Sequence, residues 1–176
     1  MDVRALVFVD ESGIDTHMVR RYARAAPGAR AHGSVPFGGY QRLTILGGLA
    51  LEGLLGVMSI PAATDTPVFL AYLDHVLIPE LVEKKPGAMV VLDNLKPHLV
   101  PQVREKLQAA GLRLLYLPPY SPDFAPIEQA WSKLKTLLRA AAARTVEALE
   151  SALAEVLDSI TAADAMGWFQ HCGYLL

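Results

Sequence analysis

Across 176 residues the chain carries 16 Lys and Arg against 18 Asp and Glu, a formal net charge of −2, so composition lacks the basic excess that usually marks a nucleic-acid-binding domain. Hydrophobic residues make up 52%, enough for a sizeable core in about one domain. No run approaches the roughly 20 apolar residues of a membrane span, the short apolar run after Asp2 and Arg4 predicts no signal peptide, and a lone cysteine, Cys172, excludes an internal disulfide or a cysteine-rich zinc site.

The first predicted strand is Leu6–Val9, ending at Asp10 and followed by a Ser12-Gly13 turn. Arg20, Arg21, Arg24 and Arg30, with His32 nearby, form a positive cluster suited to phosphate contact or to a solvated face. Tyr40–Leu51 reads as a strand broken by Gly47-Gly48; Glu52-Gly53 suits a tight turn and Leu54–Ile60 a strand returning antiparallel beside it. Thr66-Pro67 caps an amphipathic helix marked by Phe69, Leu73, Val76, Leu77 and Leu81 and ending before Lys84. Such a crossover makes the next strand, Met89–Leu92, parallel to an earlier one. Leu99–Ala110 is a helix stopped by Gly111, and Leu112–Leu117 is the last strand.

After a proline-rich loop, Pro126 suits the start of a helix whose stripe is Ile127, Trp131, Leu134 and Leu138. Thr145 caps a further helix with Leu149, Leu153, Val156, Leu157 and Ile160 on one face, and Ala162–Phe169 closes the chain. Antiparallel strands followed by strands alternating with helices predict an α/β fold: a mixed sheet flanked by helices.

Three carboxylates stand out. Asp10 and Asp93 each follow an apolar strand, where open α/β sheets place ligands. Glu128 sits in the first turn of a helix, beside the apolar stripe, where a dipole-friendly surface carboxylate would also sit. Thirty-four residues separate Asp93 from Glu128. Glu11, Asn94 and His98 are candidates to support them; for His98 a structural hydrogen bond is the plain alternative. Lys96, Lys133 and Lys135 are further cations, which exposed helices carry anyway. His171 and Cys172 read as packing. There is no glycine-rich phosphate loop, nucleophile elbow or zinc motif.

Phe8-Val9-Asp10-Glu11-Ser12-Gly13, Leu92-Asp93-Asn94-Leu95-Lys96-Pro97-His98 and the block from Leu117 through Pro122-Asp123-Phe124-Ala125-Pro126-Ile127-Glu128 to Trp131 and Lys135, with the tail Trp168–Tyr174, carry a resemblance. Together they resemble the catalytic domain of DDE-type transposases of the mariner-like superfamily, in its bacterial insertion-sequence branch. The resemblance implies a ribonuclease H-like fold with a second strand near Thr16–Arg24. It implies metal-dependent DNA cleavage and strand transfer by Asp10, Asp93 and Glu128, with two Mg²⁺ (or Mn²⁺) ions, Asp10 bridging both, Asp93 on one and Glu128 on the other. DNA, as transposon ends and target, is the implied partner, with a homodimer as the acting form. Arg20, Arg21, Arg24, Arg30, Lys96, Lys133 and Lys135 are the candidates to touch it. The implied location is the bacterial cytoplasm, at the nucleoid when DNA is bound.

Full-length members carry helix-turn-helix modules ahead of this domain. The first strand here begins within a few residues of Met1, so residues 1–176 are expected to form a single catalytic domain. Its DNA-reading part would be a separate subunit or reading frame, and DNA binding by this chain alone would be weak. The family often has asparagine where this chain has Ala125; alanine forfeits a helix cap worth about 1 kcal/mol, with Asp123 as a substitute. Two other readings stay open: a non-catalytic, domesticated or truncated relic, and a host nuclease of the ribonuclease H-like fold.

Overall fold

A computed structural model describes residues 2–20, 22–119 and 121–175. Five strands form one sheet: β1 (Leu6–Asp15), β2 (Arg42–Ala50), β3 (Gly53–Ile60), β4 (Met89–Leu92) and β5 (Arg113–Tyr116), in the order β3-β2-β1-β4-β5. The β1/β2 and β2/β3 pairs are antiparallel; β1/β4 and β4/β5 are parallel. The expected mixed sheet is therefore present. β4 is a continuous apolar run, as a strand covered on both faces must be.

β1 differs from its expected length. It does not stop at Asp10 but runs to Asp15, and Ser12 and Gly13 pair with Ile45 and Thr44 of β2 rather than turning. Backbone pairing with β2 carries the strand past the end of its apolar run. Gly13 also seats the Arg42 side chain, whose guanidinium occupies the space a β-carbon would need. Gly47-Gly48 does not break β2; the irregularity is a register shift against β3 between Leu46 and Gly48. Among the described residues no strand occurs near Thr16–Arg24: beyond β1, those up to Gln41 form turns and irregular chain. Their start is held by Arg144, whose guanidinium donates to the carbonyls of Thr16 and Met18.

Helices cover both faces. On one lie α1 (Thr66–Tyr72), α2 (Ile78–Lys84) and α3 (Pro101–Ala109); Phe69, Leu73, Leu77 and Leu107 pack on Val7, Val9, Val90 and Leu92. The predicted single helix is divided by a π turn, Leu73–Leu77. Pro79, just beyond it, has no N–H for an ordinary helical bond. Asp65, not Thr66, is the cap, its carboxylate accepting from Val68 N.

On the other face lie α4 (Ile127–Ala141), α5 (Val146–Leu157) and α6 (Ala162–His171), with Trp131, Leu134, Leu138, Leu153 and Phe169 against Leu6, Phe8, Ile45 and Leu49. Thr145 caps α5, and Thr161 with Asp164 forms a capping box on α6. Phe8 meets Phe169 and Tyr174 edge-on, at centroid distances of 5.4 and 5.3 Å, which fixes the floor beneath Asp10. Cys172 is buried as expected, but His171 is exposed. Among the described residues no helix is long and apolar enough to cross a membrane.

Candidate active site

The β1/β4 register builds the first half of the site. Leu6 pairs with Met89 and Phe8 with Val91; two residues on, the same register sets Asp10 level with Asp93. Adjacent strands lie about 4.8 Å apart, so the two carboxylates start from neighbouring points at the edge where β4 ends and β1 continues. Glu128 supplies the third from the first turn of α4. Asp10, Asp93 and Glu128 line one cavity of about 440 Å³, walled by Phe8, Val91 and the loop residues Leu117–Pro119 and Ser121–Pro122.

The strand's alternation separates Asp10 from Glu11. Asp10 lies on the α4 side, where its Oδ2 accepts from Trp131 Nε1 at 3.0 Å. Burial, the nearby Glu128 charge and, more weakly, Glu11 and Asp93 push its pKa up to about 7, against a backbone hydrogen bond that lowers it. Glu11 lies on the opposite side, toward His98.

His98 is fully buried and stands between two acids. Its Nδ1 is 2.6 Å from Asp93 Oδ1 and its Nε2 3.2 Å from Glu11 Oε2. The second contact lies outside hydrogen-bond alignment, leaving both atoms without a hydrogen bond, so it acts as charge attraction. Burial alone would lower the His98 pKa, but Asp93 and Glu11 outweigh it and raise it to about 9. The ring is therefore an imidazolium at neutral pH. It packs on Phe69, centroids 4.3 Å apart, and its carbonyl accepts from Tyr116 Oη at 2.7 Å. For Asp93, burial raises the pKa, but the bonds from His98 and Leu95 N and the His98 charge bring it below the usual carboxylate range.

The Asn94 side chain makes no hydrogen bond to the acids among the described residues. Its amide donates to Leu117 O at 2.7 Å, tying the ends of β4 and β5 together at the cavity wall. Tyr174 Oη donates to Phe124 O at 2.7 Å and fastens the proline-rich loop from the other side. α4 begins without a side-chain cap, so Asp123 does not replace the missing asparagine.

The candidate cations divide. Arg20, Arg24 and Arg30 are exposed on the irregular chain after β1, and Lys96 is exposed in the turn after Asp93. Arg21 lies outside the described residues. Lys133 points to α6, donating to Asp164 Oδ2 at 2.7 Å and Ser159 O at 3.1 Å. Lys135 is half-buried and makes no ion pair among the described residues. Sequence reasoning assigned Trp131 to the core alone; its spacing, three residues after Glu128, was the signal that it shares a helix face with that acid.

In chemical type the acids fit a hard divalent cation, which takes oxygen ligands. Asp93 Oδ2 makes no hydrogen bond among the described residues and Asp10 Oδ1 accepts none from another side chain there; burial first, and the Glu128 charge after it, raise the Asp10 pKa. Among the described residues no three His, Cys, Asp or Glu side chains converge closely enough to form a ready-made metal site.

A family profile described as "DDE superfamily endonuclease" matches residues 5–150. The fold is similar to the Mos1 transposase paired-end complex with left transposon end, at 19% identity and a TM-score of 0.77 over 97% of this chain and 52% of that one. It is also similar to the mariner Mos1 paired end complex with Mg, at 19% identity and 0.71, over 97% of this chain and 54% of that one. The catalytic domain of Mos1 mariner transposase gives 16% identity and 0.68, over 97% of this chain and 76% of that one. At these identities the likeness is one of fold, and the fold is ribonuclease H-like. The chain spans about half the length of the transposase chains in the two complexes. No curated protein matches.

Proposed function

Because the chain belongs to the DDE superfamily endonucleases, we propose that it is the catalytic domain of a transposase, cleaving DNA at transposon ends and joining those ends to target DNA. The observation that carries this is that Asp10, Asp93 and Glu128 line one cavity, the first two just beyond the paired residues of the parallel strands β1 and β4. Asp10, Asp93 and Glu128 would hold the divalent ions of such a site, two Mg²⁺ or Mn²⁺. Bound ions would activate the attacking oxygen and stabilise the leaving one in an in-line displacement at phosphorus.

The chain's own residues prepare that site. The His98 imidazolium keeps Asp93 ionised and turned by one oxygen. Asn94 fixes the cavity wall. Arg20, Arg21, Arg24, Arg30 and Lys96 are the cations we assign to DNA phosphates; Lys133, committed to α6, and Lys135 are weaker candidates. A net charge of −2 favours a separate DNA-reading part, as another subunit or reading frame, that brings transposon ends to residues 1–176, here taken as one domain. A homodimer, the bacterial insertion-sequence branch and a cytoplasmic, nucleoid-associated location complete the proposal.

One observation favours a non-catalytic relic: no three acidic or histidine side chains converge tightly among the described residues. Nicking of supercoiled plasmid in Mn²⁺ separates the readings. The transposase reading expects nicking that Asp93→Ala reduces at least 100-fold; a folded protein that neither binds Mn²⁺ nor nicks would contradict it. Preference for RNA–DNA hybrids over plasmid would instead point to a host nuclease.

A further inference from the structure

The bond between Trp131 and Asp10 joins residues 121 positions apart and is the one hydrogen bond from α4 to Asp10 among the described residues. Trp131 is buried, and a buried indole N–H needs an acceptor. Many core positions could hold the ring; this one brings its nitrogen to one oxygen of a carboxylate at the cavity edge. The seat for the ring lies in β2. Gly47 is the residue paired with Asp10 across the β1/β2 ladder. A β-carbon there would lie 3.1 Å from Trp131 Cη2 and 3.2 Å from Val57 Cγ2. Gly47 has no positive φ, so the lack of a side chain, not backbone freedom, is what the site uses. The glycine beside Asp10 leaves the space that the indole fills.

α4 carries a second element of the site. Glu128 and Trp131 are three residues apart on it, on one helix face. The helix that delivers the third carboxylate thus also grips the first. Ile127, Ala130 and Leu134 fasten the same helix to the core.

We propose that Trp131 is a positioning residue: seated by Gly47, its indole N–H engages Asp10 Oδ2, turns Oδ1 toward the cavity and sets the Asp10–Glu128 separation for a divalent cation. This rests on the function proposed above. Loss of an outer hydrogen-bond partner of a metal ligand typically weakens metal binding 10- to 100-fold.

The test compares Mn²⁺ binding by calorimetry for the wild type, Trp131→Phe and Gly47→Ala. It is paired with the indole N–H resonance of Trp131, for which Trp168 is the internal reference. The phenylalanine keeps one aromatic ring in the core and removes the donor together with the second ring of the indole. The expected results are at least tenfold weaker Mn²⁺ binding by a folded Trp131→Phe protein, whose metal-free melting temperature falls by the cost of the smaller ring. The wild-type Trp131 resonance should shift with Asp10→Ala and with diamagnetic Mg²⁺, while that of Trp168 stays still. Wild-type affinity in a folded Trp131→Phe protein would overturn the proposal while leaving the proposed function intact. Absence of Mn²⁺ binding in the wild type would instead overturn the function and the proposal with it. If Trp131→Phe does not fold, Gly47→Ala carries the same comparison by displacing the ring, with the same tenfold loss expected and unchanged affinity as the contrary result.

Discussion

Asp10 and Asp93 stand level across one strand gap, yet the protein treats them in opposite ways. On the β4 side, Asp93 is backed by the His98 imidazolium and by the Leu95 N–H, and its pKa lies below the ordinary range. On the β1 side, Asp10 is backed by a neutral indole, is more deeply buried and faces other acids, and its pKa is pushed up to about 7. The difference teaches that the site is half compensated. One acid has a cation bonded to it; the other, raised chiefly by burial, has none beside it among the described residues.

The largest way to break the contrast is His98→Ala. Removing a buried cation between Asp93 and Glu11 leaves two acids unpaired and a hole beside Phe69. We expect a loss of about 3–5 kcal/mol by denaturant unfolding, with Asp93 now titrating above its wild-type value by NMR. An unchanged stability would show that the ion pairs contribute nothing.

Next in size is Asp10→Asn. A folded pKa of about 7 against an ordinary 3.8 means that the folded protein binds the extra proton between those values, so stability falls as pH rises through that window. Three pH units set a ceiling near ~4 kcal/mol. Asp10→Asn should remove this slope and make the metal-free protein about 2–3 kcal/mol more stable than the wild type at pH 8. His98 acts in a later window: its folded pKa of about 9 exceeds 6.5, so its contribution is complete below 6.5 and lost as pH rises through 9. Melting temperatures from pH 4 to 10 should therefore fall in two stages in the wild type and only in the second in Asp10→Asn.

The smallest effect sharpens the contrast by leaving it intact. Asn94→Ala removes one bond between the two strand ends and should cost about 1 kcal/mol, with neither aspartate's titration reversed.

The sequence revealed the acids and most of the elements, because an apolar run meeting a carboxylate, or a stripe at helical spacing, is a local signal. β4 and β5, the α4 stripe and the Thr145 cap were all legible that way. The length of β1 was not: Asp10-Glu11-Ser12-Gly13 has turn-like composition, and only pairing with β2 makes it strand. The absent strand near Thr16–Arg24 had been expected from family likeness rather than from a local pattern. The division of the Thr66–Lys84 helix has a local mark in Pro79, but the apolar periodicity runs across it and reads as one helix. The partners of the acids were least legible. Trp131 lies 121 positions from Asp10, and Glu11 reaches Asp93 only through His98; such links exist only once the sheet register is set.

Calorimetric titration of Mn²⁺ at pH 6.5, in two buffers of different ionisation enthalpy, tests the half-compensated site most directly. With its pKa pushed up to about 7, Asp10 carries a proton in part of the molecules there, and coordinating a cation would release that proton to the buffer. The expected result is binding with release of a fraction of a proton to about one proton, abolished in Asp93→Ala and, with the proton release, in Asp10→Ala. Binding that survives both substitutions, or that releases no proton, would contradict the account.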